Sequence, residues 1–140
     1  MKGVNSALTS VICAIGLSVS GAAVLAQTTE QIATGNAKVC AQVCGETLSY
    51  CTEQRGRLGE QSVTDALKDC ISACKMAQDF IARGSMLQPK VAAIAVEACD
   101  RTAKTCEAFK GDKVMNSTAN ECRKTSGNLS KIVSKATASK

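Results

Sequence analysis

Between Ser62 and Ser85 the chain reads SVTDALKDCISACKMAQDFIARGS, and Val63, Leu67, Cys70, Cys74, Ala77 and Ile81 recur in it at alternating steps of four and three. An α-helix turns once in about 3.6 residues, so these side chains fall on one narrow stripe. Such a stripe suits a helix laid lengthwise against other helices. A strand would scatter the same residues over both its faces. Ser62 is placed to cap this helix, with Asp65 three residues on as a capping-box partner. Gly84 is placed to end it in a left-handed residue. The two cysteines stand one turn apart in the middle of the stripe, so both thiols point inward.

The same period returns in three other stretches. Upstream, Cys40, Cys44, Thr47 or Leu48 and Cys51 share a face of a helix predicted from Val39 to about Arg55, and Gly56-Arg57-Leu58-Gly59 breaks it. Downstream, Pro89 suits the first turn of a third helix, with Ala92, Ala95, Cys99, Ala103 and Cys106 as its seam and Gly111 as its stop. Asp112 can cap a fourth, whose inner face is Met115, Ala119, Cys122, Ser126, Leu129 and Val133. Alternating β-branched runs are absent. Four helices joined by three short connections predict an all-α, antiparallel up-down-up-down four-helix bundle.

The first 26 residues stand apart from this pattern. Lys2 gives a positive start, Leu8 to Leu17 is mostly apolar, and Val24-Leu25-Ala26 puts small residues before Gln27. These features read as a secretory signal peptide. There is no twin-arginine pair, and Cys13 lies inside the apolar stretch, where a lipoprotein cysteine would follow it. The organisation expected is a signal peptide over 1–26, a polar leader over 27–37 with at most a frayed helical start, a cysteine-lined bundle over 38–136 and a tail over 137–140. Export, to a bacterial periplasm, is the expected location. No other segment is long and apolar enough to span a bilayer, so no membrane association is expected after the signal is removed.

A net charge of +5 over 140 residues, with basic residues that do not cluster, gives nucleic acid no footprint; Tyr50, Phe80 and Phe109 are the only aromatics. The inward positions are filled largely by alanine and cysteine. Small side chains bury little apolar area, at roughly 25 cal/mol per Å², so an interior of this kind calls for covalent or metal cross-links.

Eight cysteines fit inward positions: Cys40, Cys44, Cys51, Cys70, Cys74, Cys99, Cys106 and Cys122. Cysteine is a common small buried hydrophobe, but eight unpaired thiols in an exported domain would be an oxidation hazard. Two readings remain. Disulfides suit the even count, yet residues one turn apart hold their Cβ atoms about 5–6 Å apart, where a bridge wants roughly 3.5–4.5 Å. Cys40–Cys44 and Cys70–Cys74 are therefore poor bridges, and any disulfides should join different helices. Thiolate metal binding uses that same spacing: a soft monovalent ion such as Cu(I) takes two or three sulfurs and tolerates shared, irregular ligands. Zinc prefers tetrahedral closure from tight knuckles. The chain contains no histidine, which leaves a cysteine nucleophile without its usual base, and it lacks C-x-x-C redox spacing. No enzyme is expected.

The run LKDCISACKMAQDFIARGS, then VEACDRTAKTCEAF, then MNSTANECRK, resembles the four-helix-bundle copper-storage proteins, bacterial bundles lined with cysteines that bind many Cu(I) ions. The resemblance covers about Lys38 to Lys135. It implies that the eight inward cysteines are metal ligands, that several Cu(I) ions are the cargo and the partners, and that Met115 occupies an apolar or soft-ligand position. The chain departs from the family pattern in its last helix, where Cys122 stands without the usual series, and in its missing histidines. The implied protein is a cysteine-depleted member with a smaller cluster. A disulfide-stapled structural or interaction module is the alternative, and homo-oligomerisation stays open.

Overall fold

The computed structural model describes residues 26–139. Four helices follow one another: α1 (Thr29–Gln54), α2 (Gln61–Ala82), α3 (Gln88–Glu107) and α4 (Lys113–Ala138), with a short 3₁₀ turn (Gly56–Gly59) between the first two. Each helix packs on its neighbour in sequence, α4 returns to pack on α1, and the diagonal pairs stay apart. That ring is the expected antiparallel four-helix bundle, and no strand occurs among the described residues. No helix among them is long and apolar enough to cross a membrane. The signal peptide expected over 1–26 lies outside the described residues, apart from Ala26.

Local signals account for most helix ends. Gly84 takes φ +63°, which lets Ser85 N–H donate to Phe80 O at 2.9 Å and Gly84 N–H donate to Ile81 O at 3.0 Å, closing α2. Pro89 lies in the first turn of α3. Asp112 caps α4, its Oδ1 accepting from Met115 N–H at 3.0 Å, while Oδ2 accepts from the Tyr50 hydroxyl at 2.8 Å and ties this corner to α1.

Two expectations are corrected. The stretch 29–37 is not a leader: α1 begins at Thr29. Thr28 and Gln31 form a capping box, with Gln31 N–H donating to Thr28 Oγ1 at 3.1 Å and Thr28 N–H to Gln31 Oε1 at 2.9 Å. Ala33 and Ala37 then extend the buried stripe of Cys40 and Cys44. Nor does Ser62 cap α2. The 3₁₀ turn runs straight into that helix, which starts at Gln61 behind Glu60, with no side-chain cap.

The core changes character along the bundle. One end is apolar, built from Ala33, Ala73, Ala77, Ile81, Val91, Ala92, Ala95, Leu129 and Ile132. All eight described cysteines lie in the rest of the core, with Val63, Leu67 and Met115. Ile132 is buried, and Val133, expected on the seam, is only half-buried. Both positions border the stripe, and the larger side chain gains more by facing inward.

Candidate metal centre

Every cysteine of the bundle is free and buried, as the helical stripes require. Six of the eight meet at mid-bundle. Cys74 and Cys99 Sγ are 3.5 Å apart, and Cys70 and Cys99 3.7 Å. Cys40 lies 3.8 Å from both Cys70 and Cys122, and Cys44 lies 3.8 Å from Cys122. Cys40–Cys99, Cys70–Cys74 and Cys70–Cys122 are each 4.0 Å. Two four-sulfur groups result, Cys40/Cys70/Cys74/Cys99 and Cys40/Cys44/Cys70/Cys122, each with all its sulfurs within 4.8 Å of one another. They share the Cys40–Cys70 edge, so all four helices contribute to one centre.

These separations are what a soft ion needs. With metal–sulfur bonds of about 2.3 Å, two ligands of one ion lie about 3.8 Å apart at a tetrahedral angle and about 4.6 Å apart when opposed. A disulfide, by contrast, would need its sulfurs drawn in to about 2.05 Å.

The surroundings are neutral. Among the described residues, the only polar side chains buried in the core are Thr47, Thr102, Thr118, Thr125 and Ser126. Ionisation is therefore shared out among the thiols themselves. Donation from Cys122 S–H is the largest influence lowering both Cys40 and Cys70, opposed at Cys70 by the proton it shares with Cys40. Cys74, Cys99 and Cys122 are pushed up, first because each holds its proton toward Cys40.

Cys51 and Cys106 are not part of this centre. Each sits seven residues beyond a centre cysteine of its own helix, Cys44 and Cys99, which is about 10.5 Å along the axis. Cys51 S–H donates to Met115 Sδ at 3.7 Å. Burial raises the Cys51 thiol and pushes Cys106 from an ordinary 9.0 up to about 12. Cys106 stays protonated in the fold, while in the unfolded chain it ionises from its ordinary value, so its contribution is complete below that value and lost as pH rises toward about 12. The melting temperature of the reduced, metal-free protein is expected to fall as pH is raised through that window. A flat profile there would contradict the burial of this thiol.

The threonines are the site residues that cysteine counting misses. Thr47 and Thr118 hydroxyls meet at 2.7 Å across α1 and α4. Each also lies within bonding distance of the carbonyl one turn back, Val43 O at 2.8 Å and Val114 O at 2.9 Å, which makes a buried hydroxyl tolerable. Their seam positions, three after Cys44 and four before Cys122, were the available signal.

A family model described as Copper storage protein matches residues 26–134. The chain belongs to the copper storage protein family. No curated protein and no solved structure matches it. The family is one of copper storage and not of enzymes, and the buried thiol centre could bind a metal.

Proposed function

We propose that this member of the copper storage family is exported and holds copper as Cu(I) on cysteine thiolates inside the bundle. The observation that carries this reading is the mid-bundle centre, six thiols from four helices at metal-bridging separations. Cu(I) fits better than zinc because the sulfurs are shared between groups, histidine is absent, and a monovalent ion accepts two or three sulfurs without closing a tetrahedron. All eight cysteines serve as ligands: Cys40, Cys44, Cys70, Cys74, Cys99 and Cys122 at the centre, Cys51 and Cys106 beyond it. At two thiolates per ion the capacity is about four ions.

Titration of the reduced protein against a competing chromogenic Cu(I) chelator tests this, with withdrawal of about four equivalents expected. Affinity should weaken as pH falls, since protons compete for the ligands. Failure to withdraw even one equivalent would sink the reading and leave the disulfide-stapled bundle. A free-thiol count on protein purified without reductant separates the two directly, near eight for ligands and near zero for bridges. Export is supported by the apolar stretch Leu8–Leu17 and by the capping box at Thr28, two residues past Ala26. The mass of the exported form should correspond to a chain starting at Gln27.

A further inference from the structure

We propose that Cys70, Cys74 and Cys99 form a binding site for trivalent arsenic, taken up as neutral arsenous acid and held on three sulfurs. The site requires these thiols to be free and clustered, and it does not depend on their holding copper.

The six centre thiols divide into two trios, each confined to one pair of neighbouring helices. Cys70 and Cys74 on α2 and Cys99 on α3 make the tighter one, with Cys74–Cys99 at 3.5 Å, Cys70–Cys99 at 3.7 Å and Cys70–Cys74 at 4.0 Å. Cys40 and Cys44 on α1 and Cys122 on α4 make the other. There Cys122 lies 3.8 Å from each partner, and all three sulfurs are within 4.8 Å of one another. Arsenic(III) keeps a lone pair and binds three thiolates as a pyramid. With bonds of about 2.3 Å, as for other soft ions on thiolate, and angles of about 95°, its sulfurs stand about 3.4 Å apart. The α2/α3 trio starts close to that separation, whereas the α1/α4 trio has no side shorter than 3.8 Å.

Charge selects this class of ligand. Among the described residues, the buried polar side chains are four threonines and one serine, so no buried cation faces the thiols. A monovalent ion on two thiolates leaves one negative charge in that interior, and an unbalanced buried charge is costly. Arsenous acid avoids it. As(OH)3 and three thiols condense to As(SR)3 and three waters. Each As–O bond is exchanged for an As–S bond, each thiol proton leaves in a water molecule, and no oxidation state changes. Every reactant and product is neutral.

The surroundings favour the third exchange over stopping at two. Toward the apolar end, the next inward positions are Ala77, three after Cys74, and Ala95, four before Cys99, both fully buried. A hydroxyl retained on the arsenic would find no hydrogen-bond partner in their methyl groups, and a buried hydroxyl without one is destabilising. A third sulfur removes that hydroxyl as water.

Native mass spectrometry of the reduced, copper-free protein incubated with sodium arsenite tests the site. Binding on three sulfurs replaces three protons with one arsenic and adds about 72 Da, whereas a two-sulfur complex that keeps a hydroxyl adds about 90 Da. The first arsenic is expected to bring the smaller increment. Two single substitutions locate it. Cys74 approaches only Cys70 and Cys99 within 4.0 Å, and Cys44 only Cys122. Cys74→Ser should therefore weaken the first arsenic at least about tenfold, the loss that follows removal of even a supporting group at a metal site. Cys44→Ser should leave it unmoved. A parent protein that takes up no arsenic, or gains only the larger increment, would overturn the proposal, as would a Cys74→Ser protein that binds like the parent. The parent's increment decides the three-sulfur chemistry whether or not either variant folds. Uptake of Cu(I) without arsenic would overturn this site and leave copper storage standing, and uptake of arsenic without Cu(I) would do the reverse.

Discussion

Serine at both Cys40 and Cys70 is expected to dismantle the mid-bundle centre while the four helices stay folded. These two sulfurs are the edge common to both four-sulfur groups. Without them the centre falls into two isolated pairs, Cys74–Cys99 at 3.5 Å between α2 and α3 and Cys44–Cys122 at 3.8 Å between α1 and α4. Each pair can hold one two-coordinate ion and shares no ligand with the other. Inner capacity should drop from about three ions to two or fewer, and the ions that remain should bind at least about tenfold more weakly once bridging is lost. The fold should tolerate the change. Serine is slightly smaller than cysteine, and its hydroxyl can reach the carbonyl one turn back, as Thr47 and Thr118 do. Those carbonyls, Asn36 O and Ala66 O, already accept from Thr125 and Thr102 but retain a second lone pair. A stability cost of about 1–3 kcal/mol for the two sites together is expected. Copper titration beside a circular-dichroism melt reads both quantities. Undiminished capacity would show that the inner thiols are not the ligands. If bridges were the truth, each serine would instead orphan a partner thiol, cost roughly 2–5 kcal/mol and yield intermolecular dimers under oxidising conditions.

Leu129→Ala should do the reverse, a large loss of stability with capacity unchanged. Leu129 is fully buried in the sulfur-free end, where Ile81, Val91 and Ile132 are the other large buried side chains and the remaining buried residues are alanines. Alanines have little side chain with which to fill a cavity, so the cost should reach the usual range for this substitution, about 2–5 kcal/mol. Against a total stability of about 5–15 kcal/mol for a domain, that is a major fraction. Leu129 also stands seven residues beyond Cys122, about 10.5 Å from the centre along the axis. Urea denaturation of the metal-free protein measures the first effect, and Cu(I) titration at low temperature checks the second. A parallel loss of capacity would mean that the apolar end positions the thiols.

The contrast between these two variants mirrors what could be read from the chain and what could not. Which residues face inward is a matter of period within one helix. For this reason the stripe from Val63 to Ile81, the inward direction of all eight cysteines and the four-helix class follow from the sequence. Gly84, Pro89 and Asp112 act through their own backbone or side-chain chemistry, and they too behave as their identities require. Where the sequence misleads, the deciding partner is elsewhere. Ala33 and Ala37 carry too little hydrophobicity to announce a helix, and they are held in one by the Thr28–Gln31 box and by packing, Ala33 on the apolar end and Ala37 on the cysteine-lined core. Ser62 has the chemistry of a cap but sits inside a helix already begun by the preceding 3₁₀ turn.

The site itself divides along the same line. The sequence by itself determined that eight thiols enter one narrow interior and that no histidine accompanies them. Only the tertiary structure decided that six of them meet, that Cys40 and Cys70 form the shared edge, that Cys51 meets Met115 and that Cys106 stands apart from the six. The physical reason is that spacing along a helix sets direction around its axis, whereas height against a neighbouring helix is set by connections and packing. Sulfur-to-sulfur contact depends on both.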